Sequence, residues 1–199
     1  MPMADMRLMA ANPEMMPGIL TEAELNELAG LTNQEFDSRF LQLMIKHHEG
    51  AITMVDRLLD QHGRLRVLDL HSYNHRRDGA EAEAAPVEEN PDIDIGATTL
   101  DRGVFGDLLG RFTEELGRHT MRGNALQIGE NVRYPDGGNF PEWLFETYGK
   151  RTCVITLEYK KIFMDEWTGT LDIGAAQDLR TGLMHALGVA RTELAKLNR

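Results

Sequence analysis

Cysteine is almost absent from this chain of 199 residues; Cys153 stands alone, so no disulfide can form within it. Long apolar runs are missing too, and none approaches the roughly 18 residues that a membrane-spanning helix needs. Basic side chains are outnumbered, 21 against 32 acidic ones, for a net charge of -11. The clustered lysine and arginine of a nucleic-acid-binding surface are therefore lacking. The first twenty residues have no basic start followed by an apolar core, so no secretory signal is visible and the cytoplasm is the default compartment. No internal repeat or low-complexity tract occurs. What is present is ordinary: 42% hydrophobic residues, in a length that suits one domain, or one domain with an appendage.

The chain changes character near Arg57. Before it, methionine is dense: Met1, Met3, Met6, Met9, Met15 and Met16 are six of the chain's 11. Pro13 and Pro17 break that opening stretch, which reads as irregular through Gly18. Thr21 with Glu24 and Thr32 with Glu35 form two capping-box patterns. They predict a short helix ending near Gly30 and a long one from about Asn33 to Gln61. Phe36, Phe40, Leu43, Met44, Ile52, Val55, Leu58 and Leu59 recur along the second at helical spacing, and Gly63 stops it.

From Leu65 the pattern switches to alternating strands and helices. Leu65 to Leu70 predicts a strand, and His71 to Gly96 a long polar loop punctuated by Pro86 and Pro91. The loop's carboxylates, Asp94 among them, read as solvated. A helix is expected over Leu100 to Arg118, a strand over Ala125 to Val132 and a short helix over Pro141 to Tyr148. A buried strand follows over Cys153 to Glu158, then a closing helix over Ala175 to Leu197. Cys153 sits in an apolar run and reads as a small buried hydrophobe; Lys160 and Lys161 read as facing solvent. This order implies an α/β fold with a partial, mostly parallel sheet flanked by helices, preceded by an N-terminal helical pair.

Two polar constellations stand out. On the long helix Met44, His47, His48, Ala51 and Met54 share one face, an arc of roughly 120° at about 100° per residue. Thioether and imidazole together suit copper, Cu(I) above all, although a methionine stripe at helical spacing also serves plain packing. In the second, a strand runs into Asp69, His71, Ser72, Tyr73, Arg76 and Arg77, so that polar chemistry gathers at a strand's carboxyl end.

Both constellations resemble known families. Met16-Pro17-Gly18, Glu35-Phe36-Asp37 and the run FLQLMIKHHEGAITM from Phe40 to Met54 resemble a ferritin-like bacterial family of unknown function linked to copper handling. That family continues into further helices with a second His/Met/Gln set, which this chain does not have. From about Leu58 onward, HGRLRVLDLHSYNHRR, NPDIDIGATTLDR, IGENVRYPDGG and VITLEYKKIFMDEWTG resemble the later half of the N-formylglutamate amidohydrolase family, within the zinc carboxypeptidase group. The two resemblances divide the chain into a Met/His-rich helical segment, 1–57, and an incomplete hydrolase-like α/β domain, 58–199.

The second resemblance implies a zinc-dependent hydrolase of an N-acyl acidic amino acid. His71 would be a zinc ligand, Glu158 the catalytic carboxylate, and Arg76, Arg77, Asn131 and Arg133 the substrate-binding residues, with Thr99 a further lining group. Asp69 would orient His71 or cap its strand. The group's first two ligands, in a His-x-x-Glu pattern, do not occur before His71 here. Three readings stay open: a zinc amidohydrolase, a copper-binding helical protein, and a fused or truncated chain with neither activity. Missing early strands would leave an exposed sheet edge, which predicts association between copies or poor solubility.

Overall fold

The computed structural model describes residues 17–76, 78–83, 85–135 and 138–197. The methionines through Met16, and Arg77, lie outside them. The chain forms two compact units, Met1–Gly63 and Arg64–Arg199.

The first unit holds helices α1 (Glu22–Ala29) and α2 (Asn33–His62). The capping box at α1 is complete. Thr21 Oγ1 accepts from the Glu24 amide at 3.2 Å, and Glu24 Oε2 accepts from the Thr21 amide at 2.8 Å. Lys46 Nζ donates to the same carboxylate at 2.6 Å. These donors, Lys46 first, hold Glu24 down to a pKa of about 2. The second expected box does not form, since Thr32 makes no side-chain cap bond. Asn33, directly after it, takes φ +52°, which interrupts the extended-to-helical step on which a box depends. Gly63, at φ +75°, donates its amide to Leu59 O at 2.8 Å and ends α2. The left-handed backbone there suits glycine.

Within this unit the backbone at Pro17 and Gly18 crosses α2 at Gly50. A Cβ at Gly50 would lie 2.0 Å from the Pro17 carbonyl oxygen, and one at Gly18 would lie 2.7 Å from Lys46 O. The glycine of the His-His-Glu-Gly motif is thus the notch that lets a second chain segment touch the helix.

The second unit is a four-stranded sheet in the order β1-β6-β2-β5. Its strands are β1 (Leu65–Tyr73), β2 (Ile93–Gly96), β5 (Ile128–Glu130) and β6 (Thr152–Lys160). β1 and β6 run parallel along their whole length, as do β2 and β5, whereas β2 and β6 are antiparallel. The sheet is mostly parallel, as the alternation of elements implies. Helices α3 (Arg102–Gly117) and α5 (Ile173–Leu197) share one core with it. There Phe105, Leu108, Leu109 and Phe112 meet Ile93, Ile95, Ile155, Leu157, Ala186 and Ala190. Cys153 belongs to the same core, fully buried, and burial pushes its thiol up to about 12. Helix α4 (Asn139–Tyr148) leads through a short 3-10 turn into β6.

Several expectations are corrected. The strand from Leu65 continues to Tyr73 because all nine residues find partners on β6. The supposed loop up to Gly96 ends in β2, inserted beside β6, so Asp94 is buried rather than solvated. The expected strand over Ala125 to Val132 divides. A hairpin of β3 (Thr120–Met121) and β4 (Asn124–Ala125) precedes the short β5. Its two turn residues, Arg122 and Gly123, have φ +52° and +80°; positive φ at both is what a type I′ turn requires. Lys160 does not face solvent. It is 5% exposed, and its Nζ donates to Asn90 O at 3.0 Å and Ala85 O at 3.4 Å. These carbonyls lie on the acidic loop, which the buried ammonium pins to the sheet.

Candidate active site

Strand pairing assembles the site. His71 lies level with Glu158 across the β1–β6 pair, and Glu158 lies level with Asp94 across β6–β2. One step back, Asp69, Thr156 and Gly96 form a second level row. Residues two apart on a strand face the same way, so both rows line one cavity of ≈ 240 Å³. Thr98, Thr99, Tyr134 and the start of α4 complete its wall. Gly96 is part of that geometry, because a Cβ there would come 3.1 Å from the Thr156 side chain.

Hydrogen bonds hold the rows in place. His71 Nε2 lies 2.7 Å from Asp69 Oδ1. A carboxylate only accepts, so Nε2 is the donor in this contact. Thr156 Oγ1 donates to the other Asp69 oxygen at 3.3 Å. The Asp94 carboxylate, 1% exposed, accepts the amides of Val132 at 3.1 Å and Arg133 at 2.6 Å. Burial raises the pKa of Glu158; His71 and Arg133 oppose that rise, while Asp69 and Asp94 reinforce it. A carboxyl so placed holds its proton closer to neutrality than a free glutamate does, which suits proton transfer.

The other expected substrate residues separate. Arg133 lies over the rings of Tyr73 and Tyr134, its guanidinium 5.6 and 5.7 Å from their centroids. Its charge is felt at Glu158. Tyr73, whose pKa is raised mainly by burial, donates its hydroxyl to Pro91 O. Asn131, at φ +55°, ends β5, and its Oδ1 accepts the Ala97 amide at 2.9 Å. That bond shapes the turn which carries Val132 and Arg133 to Asp94. Arg76 lines a different cavity, with His75, Lys161 and Glu166.

One buried pair was not anticipated from the sequence. His75 Nε2 lies 3.2 Å from Glu166 Oε1, with both side chains almost wholly buried. Glu166 also accepts the amides of His75 and Arg76, so it ties the chain leaving β1 to the segment after β6. Burial lowers the His75 pKa, against the pull of Glu166. The only hint in the sequence was a histidine just beyond a strand end.

On α2, Met44 and Met54 are half-buried, while His47 and His48 are exposed. The two imidazole centroids are 5.9 Å apart. His47 Nδ1 lies 3.3 Å from Gly18 O and donates to it.

Comparison with known proteins gives two findings. A family model described as a domain of unknown function (DUF305) matches residues 2–83. Among solved structures, the N-formylglutamate amidohydrolase from Ralstonia eutropha JMP134 is similar at 18% sequence identity and a TM-score of 0.44. The match covers 79% of this chain and 52% of that one, so the chain spans about half the length of that protein. No curated protein sequence matches the chain.

Proposed function

We propose that residues 64–199 form the substrate-binding part of an amidohydrolase of the N-formylglutamate type, a pocket for one small N-acyl acidic amino acid. The observation that carries this reading is that His71 and Glu158 sit in one row and face one cavity. At ≈ 240 Å³ the cavity falls below the roughly 300–1,000 Å³ of drug-sized pockets, in keeping with a single amino-acid derivative. The quoted motifs around Leu68–Arg77 and Val154–Gly169 support the same class. In linear amide hydrolysis, ionised Glu158 takes a proton from the attacking water and returns it to the departing amine. Arg133, stacked on Tyr73 and Tyr134 outside the cavity's lining, adds its charge at Glu158 alongside His71.

Zinc is the metal the resemblance implies, and the residues present do not fit it. Catalytic zinc takes three protein donors. The cavity offers one imidazole; the Asp69 carboxylate already engages its Nε2, and backbone amides occupy Asp94. Among the described residues, the one group of three His, Cys, Asp or Glu donors converging within 4.8 Å lies elsewhere. This chain alone therefore binds better than it turns over. A second reading, for the helical unit, is Cu(I) binding through Met44, His47, His48 and Met54, favoured by the exposure of both imidazoles. Titration with Cu(I) against a His47→Ala/His48→Ala variant tests it.

The test of the main reading is calorimetric titration with N-formyl-L-glutamate, alongside a formate-release assay with and without added Zn²⁺. Saturable binding with little or no release is expected, and binding should survive in Glu158→Gln. A pH series adds a readout independent of turnover. The folded pKa of Glu158 is raised, so its contribution to stability is full below the ordinary glutamate pKa and is lost as pH rises through the raised value. Glu158→Gln should therefore gain on the wild type as pH climbs through that window. Absence of binding, or formate release that persists unchanged in Glu158→Gln, overturns the reading.

A further inference from the structure

Away from the cavity, three donors converge where α3 ends against α5. Glu115 is in the last turn of α3, His119 lies just beyond it, and His185 projects from α5. His119 Nε2 is 3.5 Å from Glu115 Oε1 and 3.3 Å from His185 Nδ1. All three ligand atoms lie within 4.8 Å of one another. With donors at about 2.0–2.1 Å from zinc, a tetrahedral site has ligand–ligand edges of roughly 3.4 Å. Both measured edges match that length.

The surroundings are built for this approach. Glu115 and His119 are four apart, the spacing that stacks side chains along a helix. Gly182, three residues before His185 on α5, supplies the room. A Cβ there would come 3.1 Å from His119 Cβ and 3.2 Å from its Cγ. Arg118 takes the other Glu115 oxygen, Oε2, at 3.0 Å, and so leaves Oε1 toward the imidazoles. His185 is exposed and the other two are half-buried, so an ion can arrive from solvent. Two imidazoles and one carboxylate suit borderline divalent ions, whereas Mg²⁺ and Ca²⁺ prefer all-oxygen sites.

The geometry points to a Zn²⁺-class metal site formed by Glu115, His119 and His185. It is distinct from the His71–Glu158 cavity and joins the end of α3 to α5. Three protein donors leave a fourth position to water. The ion acts as a staple between two helices of the α/β core and binds whether or not the cavity accepts a substrate.

The test uses the full, tag-free chain, stripped by chelation and titrated with Zn²⁺ alone. One Zn²⁺ per chain is expected, with a raised Tm. Co²⁺ in its place should give the visible d–d bands of tetrahedral coordination. His185→Gln should abolish uptake, the Tm rise and the bands, and Glu115→Gln should weaken uptake at least tenfold. His185 is exposed and Glu115 half-buried, and circular dichroism checks that each variant is folded. His71→Ala and His47→Ala/His48→Ala should bind as the wild type does. No uptake by the wild type, uptake unchanged in His185→Gln, or uptake lost only in the His71 or His47/His48 variants overturns the proposal. The first of these outcomes would mean that His119 and His185 are simply a hydrogen-bonded imidazole pair.

Discussion

Gly50→Ala is the sharpest test of how the helical unit is put together. In an unencumbered helix, alanine in place of glycine is worth about 1 kcal/mol in favour of the fold. Here the new methyl would sit 2.0 Å from Pro17 O and 2.4 Å from Gly18 Cα, where ordinary contact begins near 3.4 Å. Both obstacles are backbone, so no rotamer change relieves them. Overpacking of this kind costs about 1–3 kcal/mol. Set against the propensity gain, a net loss of up to about 2 kcal/mol is expected, as the crossing segment lifts off and His47 loses its carbonyl partner. Gly110→Ala on α3 is the control. Nothing lies within 4 Å of its Cβ position, and it should stabilise by about 0.5–1 kcal/mol. Both tryptophans, Trp143 and Trp167, belong to the α/β unit, so tryptophan fluorescence reports on that unit directly. Urea unfolding followed by far-ultraviolet circular dichroism, with hydrogen exchange over 40–55, reads the difference. If Gly50→Ala is as stable as wild type or more so, with unchanged exchange, the crossing at Gly50 is wrong.

Lys160→Met keeps the length of the side chain and removes its donors. The carbonyls of Asn90 and Ala85 lose their partner, and a loss of about 1–3 kcal/mol in the tryptophan-monitored transition is expected; equal stability would mean that burying the ammonium cost as much as its bonds returned. Cys153, fully buried and with its thiol pushed up to about 12, should react with a disulfide reagent only as fast as the fold opens. Stoichiometric labelling of the native protein would refute its place in the core.

Much of the fold was legible because its signals are local. Capping at Thr21, the stop at Gly63 and the apolar faces of α3 and α5 are all written within a few residues. Of the His71–Glu158 row, the residues themselves announced only the polar strand end at His71; Glu158 was named by the resemblance alone. What escaped reading depends on partners distant in the chain. Asp94 alternates with Ile93 and Ile95 as a strand residue should, yet four residues amid acidic loop sequence are too few to announce β2. Lys160 looked like any surface lysine, because its acceptors lie at Asn90 and Ala85. His119 and His185 are 66 residues apart, and only the packing of α3 on α5 makes them neighbours. Of the residues to which the resemblance to a hydrolase pointed, Asp69, His71, Thr99 and Glu158 line the cavity, while Arg76 and Arg133 line others.

The insertion of β2 against the grain of β6 has a consequence for how such a pocket can change over generations. Three polar side chains from distant parts of the chain meet because three strands agree on register. A single residue gained or lost inside any of those strands would turn its contribution to the opposite face. Length changes in the connecting loops leave the row intact. Tinkering with this pocket is therefore confined to swapping side chains in place, while growth and shrinkage of the chain are free everywhere around it.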